Sequence, residues 1–337
     1  MSGPTPPIAL LGAGSWGTAL TIHLERLGAR PRLWGRDPVS AKEIRETREN
    51  RRYLPGIAVP PGALVTSDAE EALAGAGIVI AAVPSHFIET ALGSTKGRIP
   101  PGAIVVSATK GLEPRRGRRI SVLLGELLPG HPLAVLSGPS FAREVALGQP
   151  TALVVAAADE SLARALQRAL AAPTFRLYTN RDVVGVEIAA ALKNVIAIAT
   201  GLCDGLALGE NARAALITRG LAEIVRLGVA LGAQPATFLG LAGLGDLVLT
   251  CTGSLSRNRA LGREIARGRA LGEVEAATPM IAEGVRTVSS ALGLARGAGI
   301  TMPICREVSA VLFEGKPVGE AVESLLSREP RPEEERA

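Results

Sequence analysis

At 337 residues, with 47% hydrophobic and 20% charged side chains, the chain is long enough for two domains and too apolar to be disordered. Its three cysteines, Cys203, Cys251 and Cys305, are scattered without a CxxC or a neighbouring histidine. They argue against a zinc site or a disulfide framework and fit a reducing cytosol. A net charge of +5 suits an anionic small molecule, while 3% aromatic residues leave little to stack on bases, so neither a metal nor a nucleic-acid partner is expected.

In chain order, the N-terminus lacks the basic and apolar regions of a secretion signal. IALL (8–11) reads as a strand, SWGTALTIHLERLG (15–28) as a helix closed by Gly28, and PRLW (31–34) as the next strand. ALVTS (63–67), GIVIAAVP (77–84), AIVVSAT (103–109), LAVLSGPS (133–140), TALVVAAA (151–158) and TFRLYTN (174–180) continue the strands. Helical segments fall between most of them, one capped by Ser67 or Asp68, which is the signature of βαβ units and a parallel sheet. From about residue 181 long Ala/Leu/Gly-rich helical segments replace period-2 patterns. The expected organisation is an α/β doubly wound sheet over residues 1–180, an all-α domain over 181–326, and a mobile charged tail over 327–337.

GAGSWG places Gly12, Gly14 and Gly17 in G-x-G-x-x-G spacing, after a strand, at the opening of a helix, with a second strand following. That context points to a Rossmann-type dinucleotide site: the first glycine turns the chain, the second admits a pyrophosphate, and the third lets helix pack on strand. The second strand ends in Gly35-Arg36 rather than an acid, which suits a ribose 2′-phosphate and favours NADP over NAD. Asp37, followed by Pro38, is as well explained by an N-cap as by a ribose contact.

Two lone charges interrupt apolar helical runs. Lys193 lies in EIAAALKNVIAIATGL (187–202), and its own helix face offers it no carboxylate. Asp246 lies in GLAGLGDLVLTC, and buried acids are rare unless paired, so each is the other's most economical partner. A lysine at the centre of a spanning helix is costly, so the 183–202 segment is expected in a protein core without stable membrane insertion. Lys110 follows a strand directly, either as an exposed loop lysine or as a ligand contact. The same choice holds at Ser256-Arg257-Asn258, where a capped helix start is either solvated or an oxyanion site. The basic run PRRGRR (114–119) reads as a solvated loop face.

GAGSWGTAL, ENRRYLPG, VPSH, ATKGLE, SGPSFAREV, LKNVIAIATGL, GENARAALITRGLAEIVRLG, GLAGLGDLVLTC, SLSRNR and AEGVRTV, in this order, resemble bacterial NAD(P)-dependent sn-glycerol-3-phosphate dehydrogenase from about residue 8 to 325. Glu210, where that family more often has Asp, is the one departure. The resemblance implies a cytoplasmic homodimer that reduces dihydroxyacetone phosphate, a small phosphorylated three-carbon substrate, to a phospholipid precursor. It implies that Ser15, Trp16, Arg36, Tyr53 and Ala142 line the cofactor beside the three glycines, with Lys110, Arg257, Ile281 and Glu283 also reaching it. It further implies that Lys110, Gly138, Ser140, Asn194, Asp246, Ser256, Arg257 and Asn258 line the substrate. Lys193 would be the general acid/base, with Lys110 and Asp246 beside it in the catalytic set. A related dehydrogenase of another small keto or hydroxy acid, or a non-catalytic NADP-sensing protein, are the other readings.

Overall fold

The computed structural model describes residues 7–278, 280 and 282–329. Ile281 and residues 330–337 of the tail lie outside the described residues. The chain divides into two units, Met1–Thr109 with Ile120–Val183, and Lys110–Arg119 with Val184–Ala337. The ten residues Lys110–Arg119 lie among residues expected in the first domain, yet they belong with the helical unit.

In the first unit the strands are β1 (Ile8–Leu11), β2 (Arg32–Trp34), β3 (Leu64–Thr66), β4 (Ile78–Ala81), β5 (Ile104–Ser107), β6 (Leu133–Ser137), β7 (Thr151–Ala156) and β8 (Phe175–Asn180). Its helices are α1 (Ser15–Arg26), α2 (Pro38–Thr47), α3 (Ala69–Leu73), α4 (Ile88–Thr95), α5 (Ile120–Leu127), α6 (Ala142–Ala146) and α7 (Glu160–Leu170). The sheet order is β3-β2-β1-β4-β5-β6-β7-β8. Strands β1 and β4 are buried along their whole length, as strands covered on both faces must be. Two apolar clusters hold the unit together, one containing Leu10, Leu33, Ile80 and Val155, the other Leu11, Val79, Val105 and Leu124.

The expectation of a parallel sheet is corrected at one seam: β6 pairs with β7 antiparallel, after which β7 and β8 are parallel. The link from β6 to β7 carries only the five-residue α6, and adjacent antiparallel strands need no full crossover helix. Asp37 caps α2, its carboxylate accepting from the backbone N–H groups of Val39 and Ser40. Asp68, rather than Ser67, caps α3.

The second unit comprises α8 (Val183–Gly205), α9 (Gly209–Ala230), α10 (Pro235–Phe238), a π-helical turn over Leu241–Gly245, α11 (Asp246–Thr252), α12 (Arg257–Ala266), α13 (Leu271–Ala276), α14 (Glu283–Gly297), α15 (Pro303–Phe313) and α16 (Val318–Leu326). Helix α8 is its axis: every residue from Gly185 to Cys203 is buried, and Ile188, Leu192, Val195 and Ile198 sit in one apolar cluster with Leu247, Val285 and Val288. A helix apolar on all sides is a core helix or a membrane span, and the apolar window of this one is 89% buried within the protein. Where α8 meets α12 there is no room for side chains. A Cβ on Gly201 would lie 2.1 Å from the Arg259 carbonyl oxygen, and one on Gly262 would lie 2.2 Å from the Ile198 carbonyl oxygen. The two backbones therefore cross in direct contact.

Candidate active site

In the first unit the glycine-rich turn has the shape a dinucleotide needs. Gly12 has φ +113°, and a Cβ there would lie 2.8 Å from the Ala82 carbonyl oxygen. A Cβ on Gly17 would lie 1.9 Å from the Gly12 carbonyl oxygen, whereas one on Gly14 would meet nothing within 4 Å. The turn is thus closed on the protein side and open at Gly14, where helix α1 begins. No side chain caps α1, and no acid sits in its first turn, so Ser15, Trp16 and Gly17 begin a helix whose N–H groups suit an anion. Trp16 carries a buried indole N–H with no partner among the described residues.

The ENRRYLPG loop is anchored to this turn by a residue the sequence reading missed. Buried Asn50 donates through Nδ2 to the Ala13 carbonyl, 3.0 Å, and to Thr18 Oγ1, 2.8 Å. Its own Oδ1 accepts from the Tyr53 backbone N–H, which fixes Tyr53 in the loop. The exposed Arg36 guanidinium lies 5.2 Å from the centroid of the Phe87 ring, a cation–π stack. Asp37 is engaged in capping α2, leaving Arg36 as the polar residue offered at the end of β2. Gly138 and Ser140 follow β6, the Ser140 hydroxyl donating to the Gly138 carbonyl at 2.9 Å, and Ala142 opens α6. These residues fit a pyridine dinucleotide: an open glycine turn, an uncapped helix start and an exposed cation at the β2 end.

In the second unit Lys193, Asp246 and Lys110 form one cluster. Lys193 Nζ donates to Asp246 Oδ1 at 2.6 Å, and Lys110 Nζ donates to Asp246 Oδ2 at 3.0 Å. Asp246 is 1% exposed at its side chain, Lys193 6% and Lys110 18%. Lys110 is thus the partly accessible member of the three. A second missed residue, Thr250, accepts from Lys193 Nζ at 2.8 Å while its hydroxyl donates to the Asp246 carbonyl at 2.6 Å. Its sequence signal was the i, i+4 spacing in DLVLT, which puts a hydroxyl one turn above the carboxylate.

The electrostatics follow from burial and charge count. The Lys193 ammonium is lowered to about 8: desolvation pushes it down most, Asp246 pulls against that, and Lys110 adds a further downward push. Asp246 enters the site through the π-helical turn that precedes it, closed by the Gly245 N–H to the Gly240 carbonyl at 3.1 Å. Such turns are frequent at functional sites. Cys251, next in the same helix, has its thiol pushed up to about 12 by burial and stays a protonated apolar neighbour.

A chain of amides ties this cluster to two further helices. Asn194 Nδ2 donates to the Lys110 carbonyl at 3.2 Å, Asn258 Nδ2 donates to Asn194 Oδ1 at 2.9 Å, and the Gly284 N–H donates to Asn258 Oδ1 at 3.0 Å. Asn258 therefore spends one donor and one acceptor on holding α8, α12 and α14 together. Ser256 caps α12 by accepting from the Arg259 N–H at 3.3 Å. Arg257, the first residue of α12, is exposed. Glu283 opens α14 next to Gly284, and Ile281 lies outside the described residues.

The chain matches two family models, the NAD-dependent glycerol-3-phosphate dehydrogenase N-terminus over residues 7–163 and the C-terminus over residues 182–323. It is 51% identical over 322 residues to a glycerol-3-phosphate dehydrogenase (NAD(P)+) of Moorella thermoacetica, covering 95% of this chain and 96% of that one. It is 50% identical over 324 residues to a protein of the same name from Geobacter sp. strain M21, covering 95% and 97%. Among solved structures it is similar to glycerol-3-phosphate dehydrogenase from Coxiella burnetii, with a TM-score of 0.93 at 40% identity over 96% of this chain and 99% of that one. A ketopantoate reductase from Ralstonia eutropha, at 18% identity and TM-score 0.63, shares the fold alone.

Proposed function

The chain belongs to the NAD-dependent glycerol-3-phosphate dehydrogenase family, and from that premise we propose that it interconverts dihydroxyacetone phosphate and sn-glycerol 3-phosphate with NAD(P)H, with Lys193 as the general acid/base. The observation that carries the reading is the Lys193–Asp246–Lys110 cluster. A buried ammonium held on one carboxylate, with its proton affinity lowered to about 8, is suited to moving a proton near neutral pH.

Gly12, Gly14, Ser15, Trp16, Gly17, Arg36, Tyr53 and Ala142 are assigned to the cofactor, with Arg36 favouring NADP through its 2′-phosphate. The bound cofactor supplies the hydride in reduction and accepts it in oxidation. The protein must hold the ketone and handle one proton. Of the three N–H bonds at Lys193 Nζ, one is spent on Asp246 and one on Thr250, which leaves the third for the substrate oxygen. As negative charge develops on that oxygen, the Lys193 ammonium stabilises it and gives up its proton. In the reverse direction the neutral amine takes the proton from the alcohol. Lys110, sharing Asp246, adds a second positive charge to the same oxyanion region.

Arg257 and the capped start of α12 are assigned to the substrate phosphate, for which an exposed guanidinium at a helix N-terminus is suited. Asn194 and Asn258 hold the helices in register, and Gly138, Ser140 and Ser256 complete the assigned substrate set. Glu283 remains assigned to the cofactor, and Ile281 with it. The reading extends to a cytoplasmic homodimer without membrane insertion; the three buried free cysteines fit a reducing compartment, and the burial of α8 fits a core helix rather than a membrane span. Purified protein mixed with NADPH and dihydroxyacetone phosphate should consume the reduced cofactor. No loss of its absorbance with this ketone, in either cofactor, would overturn the reading.

A further inference from the structure

We propose that Asp204 is a positioning residue that aims Arg257 at the substrate phosphate, acting through Arg259. The inference rests on the reading of Arg257 as the phosphate grip and deepens it. Asp204 sits at the end of α8 and spends both carboxylate oxygens on cations from two other helices. Oδ1 accepts from Arg213 Nη1 of α9 at 2.7 Å, and Oδ2 accepts from Arg259 Nε of α12 at 2.6 Å. All three side chains are largely buried, 12% exposed for Asp204, 17% for Arg213 and 15% for Arg259. Arg213 is also held by Glu210 on its own helix, which adds a second carboxylate to the clamp.

Arg259 is the arm of the device. Its Nη1 donates to the Thr252 carbonyl at 2.6 Å, and its backbone N–H donates to Ser256 Oγ at 3.3 Å. It therefore grips the last residue of α11 and the N-cap of α12 at once, closing the turn 253–256 from both sides. Arg257, one residue past that cap, feels the charge of Glu283 at the start of α14, and the path of the α12 backbone sets the point from which its guanidinium extends. That path is fixed at two places: Gly201 and Gly262 hold the α8 and α12 backbones in contact, and the Asp204–Arg259 pair sets the rotation of α12 at its start. The Lys193–Asp246 pair does not touch this clamp. Loosening the clamp should misplace the phosphate grip and spare the proton transfer, provided that the helices stay folded.

The test compares Asp204→Asn and Arg259→Lys with wild-type enzyme, using dihydroxyacetone phosphate, unphosphorylated dihydroxyacetone, and inorganic phosphate as a competing anion. Lysine at 259 keeps the charge but loses the fork by which two separate nitrogens reach Asp204 and the Thr252 carbonyl. Both variants are expected to raise KM for the phosphorylated ketone by about ten-fold, the scale of one charge-assisted hydrogen bond. They should raise the inhibition constant for inorganic phosphate in step, while kcat and the turnover of dihydroxyacetone stay within about two-fold, since distant sites act independently. An equal fall with both ketones, or an unchanged phosphate inhibition constant in both variants, overturns the proposal. Arg257→Ala run alongside separates the two levels. If it leaves phosphate discrimination intact, the phosphate assignment itself fails; if it abolishes discrimination while both clamp variants retain it, only the role of Asp204 fails.

Discussion

Lys193 Nζ lies 2.6 Å from Asp246 Oδ1, and the other oxygen of the same carboxylate holds Lys110. One buried carboxylate thus holds an ammonium group on each of its oxygens in a site of low exposure. Two ammonium groups converging there favour an anion forming beside them.

Removing the Lys193 side chain tests that relationship most directly. Lys193→Ala should lower kcat by at least about 10²-fold, the low end for acid–base catalysis. In the wild type, ketone reduction needs the protonated amine and should decline as pH rises through about 8, whereas alcohol oxidation needs the neutral amine and should rise over the same interval. Initial rates in both directions across pH 6–10 check the pair of profiles, and parallel profiles would remove Lys193 from proton transfer.

Arg257→Ala should act on binding rather than chemistry. Loss of a guanidinium–phosphate contact is expected to raise KM for dihydroxyacetone phosphate by roughly 10- to 100-fold, about 1.5–3 kcal/mol. An unchanged KM would contradict the phosphate assignment.

Arg36 stacks on Phe87 with its guanidinium exposed, and Asp37 is committed to its helix. Arg36→Ala should therefore weaken NADPH more than NADH, by about ten-fold in the ratio of kcat/KM values. Equal losses with both cofactors would mean that Arg36 reads adenine instead.

Glu223 in α9 predicts a pH-dependent stability. Its buried carboxylate accepts from the Ile304 and Cys305 N–H groups at the start of α15, 2.7 and 3.3 Å, with Arg226 as the nearby cation. Burial nevertheless raises it from 4.5 to about 7. Between those values the folded protein binds more protons than the unfolded chain, so this group's contribution to stability falls as pH rises from about 4.5 to 7. The contribution spans up to about 3 kcal/mol. Glu223→Gln cannot titrate, and its Tm should vary less with pH across that window. Identical Tm slopes in the two proteins would show that Glu223 does not titrate there.

Gly201→Ala should separate α8 from α12, because its Cβ would sit 2.1 Å from the Arg259 carbonyl oxygen. Overpacking of this kind costs about 1–3 kcal/mol. Chemical denaturation should show that loss, and a stability equal to wild type would mean that the crossing has slack.

Much of this protein was written locally. The strand and helix runs follow from apolar periodicity, the dinucleotide turn from three glycines in their spacing, and the α12 start from a serine that can cap it. The two charges of the site stood out because each interrupts an apolar helix in which it has no partner. Those signals act within a turn or two of backbone, the range over which hydrogen bonding and side-chain spacing are set by sequence neighbours. The tertiary structure decided what joins across distance. It brought Asp246 to Lys193 from 53 residues away and to Lys110 from 136. It also added Thr250 and Asn50, reversed β7, and placed Lys110–Arg119 with the helical unit. These depend on which backbones can approach closely enough to bury the same apolar faces, as at Gly201 and Gly262, and such long-range packing has no local sequence period to announce it.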